Sequence, residues 1–385
     1  MRKENSGKKP IRVLQVLASL DRGGAETIVM NLYRNINREK MQFDFVVNER
    51  TNEYAYESEI KALGGRVFRV PRYTLFNHHH YRRTWKELLC QHPEWEIVHG
   101  HHTSPAFVYL SVANNLGRVT IAHSHTAGGE SSIKTYLKVI SRYPLRYIAR
   151  YLFACSNSAA KWMFGRKSIV THILHNAIDA EKFRYSQIVR NEVRHKVGLE
   201  GKFVIGNVGR LNVPKNHTFL IDIFKKVHEQ CPNSILLLIG DGSLRSTIEK
   251  KVVQLGLSDY VVFLGSRSDV PELLNAIDVF LFPSLYEGLP LSVIESQAAG
   301  LPSVVSEAIP EEAYITDLIE KEYLSSSSTD WAKRVLKYRG GYERLDTSDL
   351  IKSRGFDIFQ TAAWLQHFYH GLCNNHSNVH MKQIA

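Results

Sequence analysis

The chain has 385 residues, 44% of them apolar and 23% charged, so it exceeds what one hydrophobic core usually supports and two domains are expected. This is the composition of a soluble globular protein, no apolar run is long enough to span a bilayer, and four scattered cysteines without a CxxC pair give neither a disulfide framework nor a zinc site. The net charge of +11 is lopsided: residues 1–195 carry 30 Lys+Arg against 16 Asp+Glu, the remainder 19 against 22. The basic half is therefore expected to face something anionic, with nucleic acid, anionic lipid and a phosphorylated acceptor all open.

The basic lead-in MRKENSGKKPI lacks the apolar core of a secretory signal. Together with the cysteine usage it points to a reducing cytoplasm. Short β-branched runs at 13–20, 43–48, 66–70, 96–101 and 119–125 alternate with helical patterns such as Glu26–Asn35 and Tyr81–Gln91. A second series at 203–209, 234–240, 261–265, 279–284 and 303–306 repeats the style, with helical segments at 218–229, 244–254, 270–276 and 292–299. Two βα series predict two doubly wound α/β domains. The boundary is expected within Asn176–Gly198, giving domains 1–185 and 186–356, and a last helix begins near Asp357. Ligands of such sheets sit at the carboxyl ends of the strands.

The segment DVFLFPSLYEGLPLSVIESQAAGLPSVVS (278–306) reads as strand, loop and helix. Pro290 suits the first helical position, leaving the amides of Leu291 and Ser292 as free donors at a positive helix end. Gly288 lets an anion approach the backbone, and Glu295, about a turn further in, suits the vicinal hydroxyls of a ribose. Glu287 precedes the helix. Alone, the segment is also what many α/β proteins carry as a surface loop and capped helix. In GNVGRLNVPKNH (206–217), Arg210 and Lys215 emerge from a glycine-permitted turn after a strand. Two cations beside a free helix end can neutralise a diphosphate.

E-G-L-P-L-S-V-I-E and G-R-x4-K resemble the retaining, metal-independent glycosyltransferases of family 4, as do GGAE (23–26), ILHNAID (173–179) and LIGDGSL (238–244). Within that family the pattern is most similar to enzymes of exopolysaccharide and capsule synthesis. The resemblance implies a GT-B fold, two Rossmann-like domains facing across a cleft with the C-terminal helix returning to the first. It implies a nucleotide-sugar donor with UDP as the nucleotide, a glycan or lipid-linked acceptor, and no cofactor. It also assigns roles. Arg210, Lys215 and the amides of Leu291 and Ser292 would bind the diphosphate, Gly24 would close over it, Glu295 would hold the ribose, Glu287 and His125 would contact the sugar, and the loop Gly265–Val270 would lie near the base. SEAIPEEAYI (306–315) departs from the glycine pair the family often has there.

Eighteen histidines cluster largely in the basic half. A metal is not expected, because no DxD pair is present and the His-x-His strand ends lack carboxylate or cysteine partners. His99 and His123 read as strand-end residues satisfied by backbone, His101 and His102 as acceptor-pocket residues, and His78–His80 as an exposed loop. Glu287 and Glu295 have different tasks, so they do not form the carboxylate pair of a double displacement. Front-face transfer with retention is expected instead.

Lys134, Lys138, Arg142, Arg146 and Arg150 recur every four residues with interleaved tyrosines, as on a basic helix. Two readings stay open, an anionic membrane surface and a solvated helix face. A nicotinamide-dependent oxidoreductase would need GxGxxG after a strand and an acidic residue about 20 positions on; neither LASLDRGGAE nor IGDGSL supplies it. No nucleic-acid partner is expected, since stacking platforms and helix-turn-helix spacing are missing. A nucleotide-sugar epimerase of the same architecture is the remaining alternative.

Overall fold

The computed structural model describes residues 9–101, 105–128 and 143–381. The chain forms two compact units, Met1–His175 with Ile358–Ala385, and Asn176–Asp357.

The first unit is built on β1 (Ile11–Val16), β2 (Met41–Asn48), β3 (Val67–Val70), β4 (Trp95–Gly100), β5 (Val119–Ser124), β6 (Tyr151–Ala154) and β7 (His172–Ile173). These strands form one parallel sheet in the order β3-β2-β1-β4-β5-β6-β7. The apolar runs of the central strands are buried on both faces, as a helix-covered parallel sheet requires. One face carries a core that includes Leu14, Val46, Trp85, Val98 and Tyr109. On the other, Phe43 and Phe153 lie against Tyr369 and Phe368 of the last helix, Ile358–Met381, which also packs on helix Gly24–Asn35.

In the second unit β8 (Phe203–Val208), β9 (Ser234–Ile239), β10 (Val261–Gly265), β11 (Val279–Phe282), β12 (Ser303–Ser306) and β13 (Ile319–Glu322) pair in the order β10-β9-β8-β11-β12-β13, again all parallel. Phe224, Leu236, Leu281 and Trp331 belong to its core.

The division falls at His175 rather than at residue 185. Helix Ala180–Phe183 packs on helices Val270–Ala276 and Leu291–Ala298, and the Ile178 amide donates to Phe356 O at 2.9 Å, so this stretch belongs to the second unit. The basic stripe is also revised. Lys134, Lys138, Arg142 and Tyr136 lie outside the described residues. Beyond them Pro144 caps only the single turn Leu145–Ile148, and pairing with β5 draws Tyr151 into β6. Arg146 and Arg150 therefore do not share a continuing helix.

Asp44 on β2 is a fully buried carboxylate. It accepts from Arg12 at 2.8 Å, from Arg66 at 2.5 Å and from Trp95 Nε1 at 2.7 Å. Burial alone would raise its pKa, but these donors outweigh that and hold it at about 2. The depressed value means its stabilisation is present above the unfolded pKa of about 4 and lost as pH falls from there toward 2. Asp44→Ala is expected to destabilise the protein by roughly 3–5 kcal/mol in urea at pH 7, because two guanidinium groups lose a buried partner. The difference should narrow below about pH 4.

Candidate functional site

In the second unit the strand order reverses between β8 and β11, which places their two following loops side by side. The loop after β8 carries Arg210 and Lys215, and Asn216, at φ +55°, ends it in the left-handed region. The loop after β11 carries Glu287 and Gly288 and enters helix Leu291–Ala298. Backbone and side chains tie the two together. The Leu285 amide donates to Pro214 O at 2.8 Å, and Asn216 Nδ2 donates to Pro283 O at 3.1 Å. Lys215 Nζ meets Glu287 Oε1 at 2.6 Å and lies 4.6 Å from the centre of the Phe282 ring. Asn176 fastens the second loop from outside, donating to Leu289 O at 2.6 Å.

The turn after β9 presses on the same loop. At Gly240, with φ +142°, a Cβ would lie 2.0 Å from Gly209 O, and at Gly242 one would lie 2.3 Å from Leu211 O. Only glycine lets these backbones approach. Gly265 joins them, accepting from the Gly240 amide at 2.8 Å, and Arg267 pairs with Asp269 further along that loop.

Pro290 is the N-cap of its helix and Leu291 the first helical residue, one position later than the sequence suggested, because Pro290 has an extended ψ of 114°. The free amides at the helix start are unchanged by this shift. Val293 and Ile294 donate back to Pro290 O, whereas the amides of Leu291 and Ser292 have no acceptor among the described residues. Arg210 is exposed and its side chain has no partner among them either. Glu295 reaches solvent in part, but its carboxyl is crowded by protein atoms, and that desolvation pushes its pKa to about 7. The aberrant loop 306–315 is fixed by Gln297, whose Nε2 donates to Ala313 O at 2.7 Å and whose Oε1 accepts from Ile315 and Thr316 amides at 2.9 Å.

The first unit has the same reversal between β1 and β4. Gly24 opens helix Gly24–Asn35 in the loop after β1, exposed and with nothing within 4 Å of a would-be Cβ. Along β4 and β5, His99, His101, His123 and His125 point to one face, as alternation dictates. His99 and His123 are not satisfied by backbone as the sequence reading held. Their rings stack at 5.2 Å, His99 Nε2 meets His123 Nδ1 at 3.2 Å, and His99 Nδ1 meets the Tyr369 hydroxyl at 2.5 Å. Sheet alternation turns them inward, where side chains replace backbone as partners. His101 joins His125 at 2.8 Å and Gln15 Oε1 at 2.8 Å. Burial pulls every one of these pKa values down, that of His125 to about 4, so the block is neutral at pH 7.

Ligand atoms of His99, His101 and His123 all lie within 4.8 Å of one another. The His99 and His101 rings are stacked at 4.3 Å and 19°, however. A bound cation lies in the plane of each imidazole, and two nearly parallel planes do not meet on one. The arrangement is that of a hydrogen-bond chain. His102 lies outside the described residues. His78–His80 form the first turn of helix His78–Gln91 rather than a loop, because a Thr74–Asn77 capping box starts the helical run early.

Residues 22–182 match the family model described as Glycosyltransferase Family 4, and residues 189–338 the model described as Glycosyl transferases group 1. EpsF of Bacillus subtilis (strain 168), assigned as a glycosyltransferase, is 34% identical over 378 residues, 95% of this chain and 97% of the other. The chain belongs to the family 4 glycosyltransferases. An Escherichia coli UDP-Gal:alpha-D-GlcNAc-diphosphoundecaprenol alpha-1,3-galactosyltransferase is 29% identical over 230 residues, 57% of this chain and 59% of the other. HepE of Anabaena, solved in complex with UDP and glucose, superposes with a TM-score of 0.78 at 18% identity, over 94% of this chain and 99% of that one. The fold of this glycosyltransferase is accordingly GT-B.

Thus Arg210, Lys215, Glu287, Gly288, Leu291, Ser292 and Glu295 lie on neighbouring loops and one helix of the second unit, whereas in the first unit Gly24 opens a helix and His125 follows the end of β5. Sequence reasoning missed Asn176 and Gln297 as supports, and Gln15 and Tyr369 as partners of the histidines. The Glu295 carboxyl offers a direct check. Its folded pKa is raised above the unfolded value of about 4.3, so it costs stability increasingly as pH climbs from there to about 7. Glu295→Gln is expected to unfold at higher urea than the native chain at pH 8, by up to roughly 3 kcal/mol, with no difference near pH 4.

Proposed function

We propose that this glycosyltransferase moves a hexose-type sugar from a UDP-sugar to a glycan or lipid-linked acceptor in exopolysaccharide or capsule synthesis, with retention at the anomeric carbon. One observation carries the donor assignment. Lys215, an Arg210 and two helix amides that have no partner among the described residues, and a desolvated Glu295 converge on the strand-order switch of one sheet. A nucleoside diphosphate needs that set, cations and amides for the phosphates and a carboxylate for the ribose. HepE's complex with UDP and glucose supports the choice of nucleotide, and the E. coli relative, named for UDP-Gal and a diphosphoundecaprenol-linked acceptor, supports the acceptor class.

In this reading Arg210, Lys215 and the amides of Leu291 and Ser292 stabilise the diphosphate as it leaves, and the diphosphate itself takes the proton of the incoming hydroxyl on the same face. Glu287, held by Lys215, and neutral His125 contact the sugar hydroxyls. Protein cations and a helix end meet the developing charge, so the reading needs no divalent ion; the stacked histidine planes and the missing DxD pair support that.

Arg210→Ala and Lys215→Ala are each expected to weaken UDP-sugar binding at least roughly tenfold, as loss of a charge-assisted contact implies, and native turnover should survive EDTA. If none of the UDP-, GDP- and ADP-sugars raises the melting temperature, the donor assignment is wrong. An inverted anomer in the product by NMR would refute retention.

We also infer peripheral contact with an anionic membrane on its cytoplasmic face. Among the described residues no helix is long and apolar enough to cross a membrane. Leu75 and Phe76 are strongly exposed just before helix His78–Gln91, which brings Arg82, Arg83 and Lys86 to a groove of about 430 Å³. Arg83 is paired with Glu87 at 2.7 Å, and an apolar tip followed along the chain by Arg82 and Lys86 suits the headgroup region, where each such cation contributes about 1 kcal/mol. A Leu75→Ser/Phe76→Ser variant should float with phosphatidylglycerol vesicles markedly less than the native chain. Equal flotation of both, or none by the native chain, would refute this contact.

A further inference from the structure

The four inward histidines of the first unit form two branches that meet at a single amide. In one, Gln15 Nε2 lies 3.4 Å from the Tyr369 hydroxyl, which lies 2.5 Å from His99 Nδ1, and His99 Nε2 lies 3.2 Å from His123 Nδ1. In the other, Gln15 Oε1 lies 2.8 Å from His101 Nε2, and His101 Nδ1 lies 2.8 Å from His125 Nε2. Each branch ends on a buried nitrogen without a partner among the described residues, His123 Nε2 and His125 Nδ1.

The proton positions follow from the donor and acceptor inventory of a neutral set. Gln15 Nε2 can only donate, so the Tyr369 oxygen accepts from it and the phenol proton goes to His99 Nδ1. His99 then carries its proton on Nε2 and gives it to His123 Nδ1, which leaves His123 protonated on Nε2. Gln15 Oε1 can only accept, so His101 is protonated on Nε2 and its bare Nδ1 accepts from His125 Nε2–H. His125 therefore ends with a bare Nδ1. Turning the Gln15 amide over would reverse every bond and exchange the roles of the two terminal nitrogens.

We propose that Gln15 is a positioning residue that, through His101, locks His125 as the Nε2–H tautomer and so offers Nδ1 as a hydrogen-bond acceptor for a hydroxyl of the transferred sugar. Tyr369 pairs with the amide from the other side, accepting from Gln15 Nε2 at 3.4 Å, which carries the coupling on to His99 and His123. The functional half of this rests on the reading of His125 as a sugar contact; the lock itself does not. Every link is a neutral hydrogen bond in a water-poor interior, where an unmatched partner is costly, so the bonds can reverse only together and the tautomers of His125 and His123 are coupled through Gln15.

The test is ¹⁵N–¹H correlation of histidine-labelled full-length protein, which reports which ring nitrogen carries the proton. The native chain should show His125 and His123 both as Nε2–H. Gln15→Glu accepts at both ends, so it should keep His125 unchanged while Tyr369 turns its proton to the carboxylate and His123 switches to Nδ1–H. Gln15→Leu should leave His125 as a tautomer mixture and lower kcat roughly tenfold, the effect of one hydrogen bond, with KM for the UDP-sugar nearly unchanged. Native His125 protonated on Nδ1, or a His123 tautomer indifferent to Gln15→Glu, would overturn the lock. Native turnover in His125→Ala would overturn the sugar contact, and the spectra decide the lock in either case.

Discussion

Both sheets are governed by one topological constraint, the point at which strand order reverses. Crossover connections of a single hand send the helices after β8 and β11 to opposite faces, so the loops above these adjacent strands meet with neither helix covering them. Arg210, Lys215, Glu287, Gly288, Leu291, Ser292 and Glu295 sit on those two loops or on the helix one of them enters. The same reversal between β1 and β4 sets Gln15 beside His99, and it is there that polar side chains penetrate an otherwise apolar sheet.

The two switch points solve their polarity differently. In the second unit the groups are charged, and the loops that bear them are held rigid by backbone: Leu285 on Pro214, Leu211 on Asp241, Gly240 against Gly209. Glycines at 240 and 242 exchange side-chain contacts for close backbone approach, so the position of Arg210 is set by a stack of peptide planes rather than by its own packing. In the first unit the polar groups are neutral and mutually paired, and the aromatic surface of the last helix seals them in. A charged imidazole there would lack both solvent and counter-ion, which is why burial depresses all four.

Much of this was legible beforehand. The alternation of β-branched runs with amphipathic stretches fixes two parallel sheets, because period and length are local properties. The spacing of Glu287 to Glu295 and of Arg210 to Lys215 is likewise local and was read directly. Partnerships across long sequence distances were not. Nothing in LLIGDGS announces that its turn presses on Gly209, and no local pattern couples Gln15 to Tyr369, 354 residues away. His99 and His123 were misread for the same reason: a histidine at a strand end shows its type but not what covers its face. The boundary was placed late because the charged helix after Ser186 marks a change of composition, whereas residues 176–185 have already joined the second unit through Ile178 and Phe183.

The ion pair between Lys215 and Glu287 has a further consequence. With no ligand present the two charges cancel and each is already satisfied, so a bare anion entering here must displace the carboxylate from the lysine and strand it. A molecule that presents phosphate oxygens to one and hydroxyls to the other replaces both partners at once. The exchange is thus favourable for a sugar diphosphate and less so for the diphosphate alone.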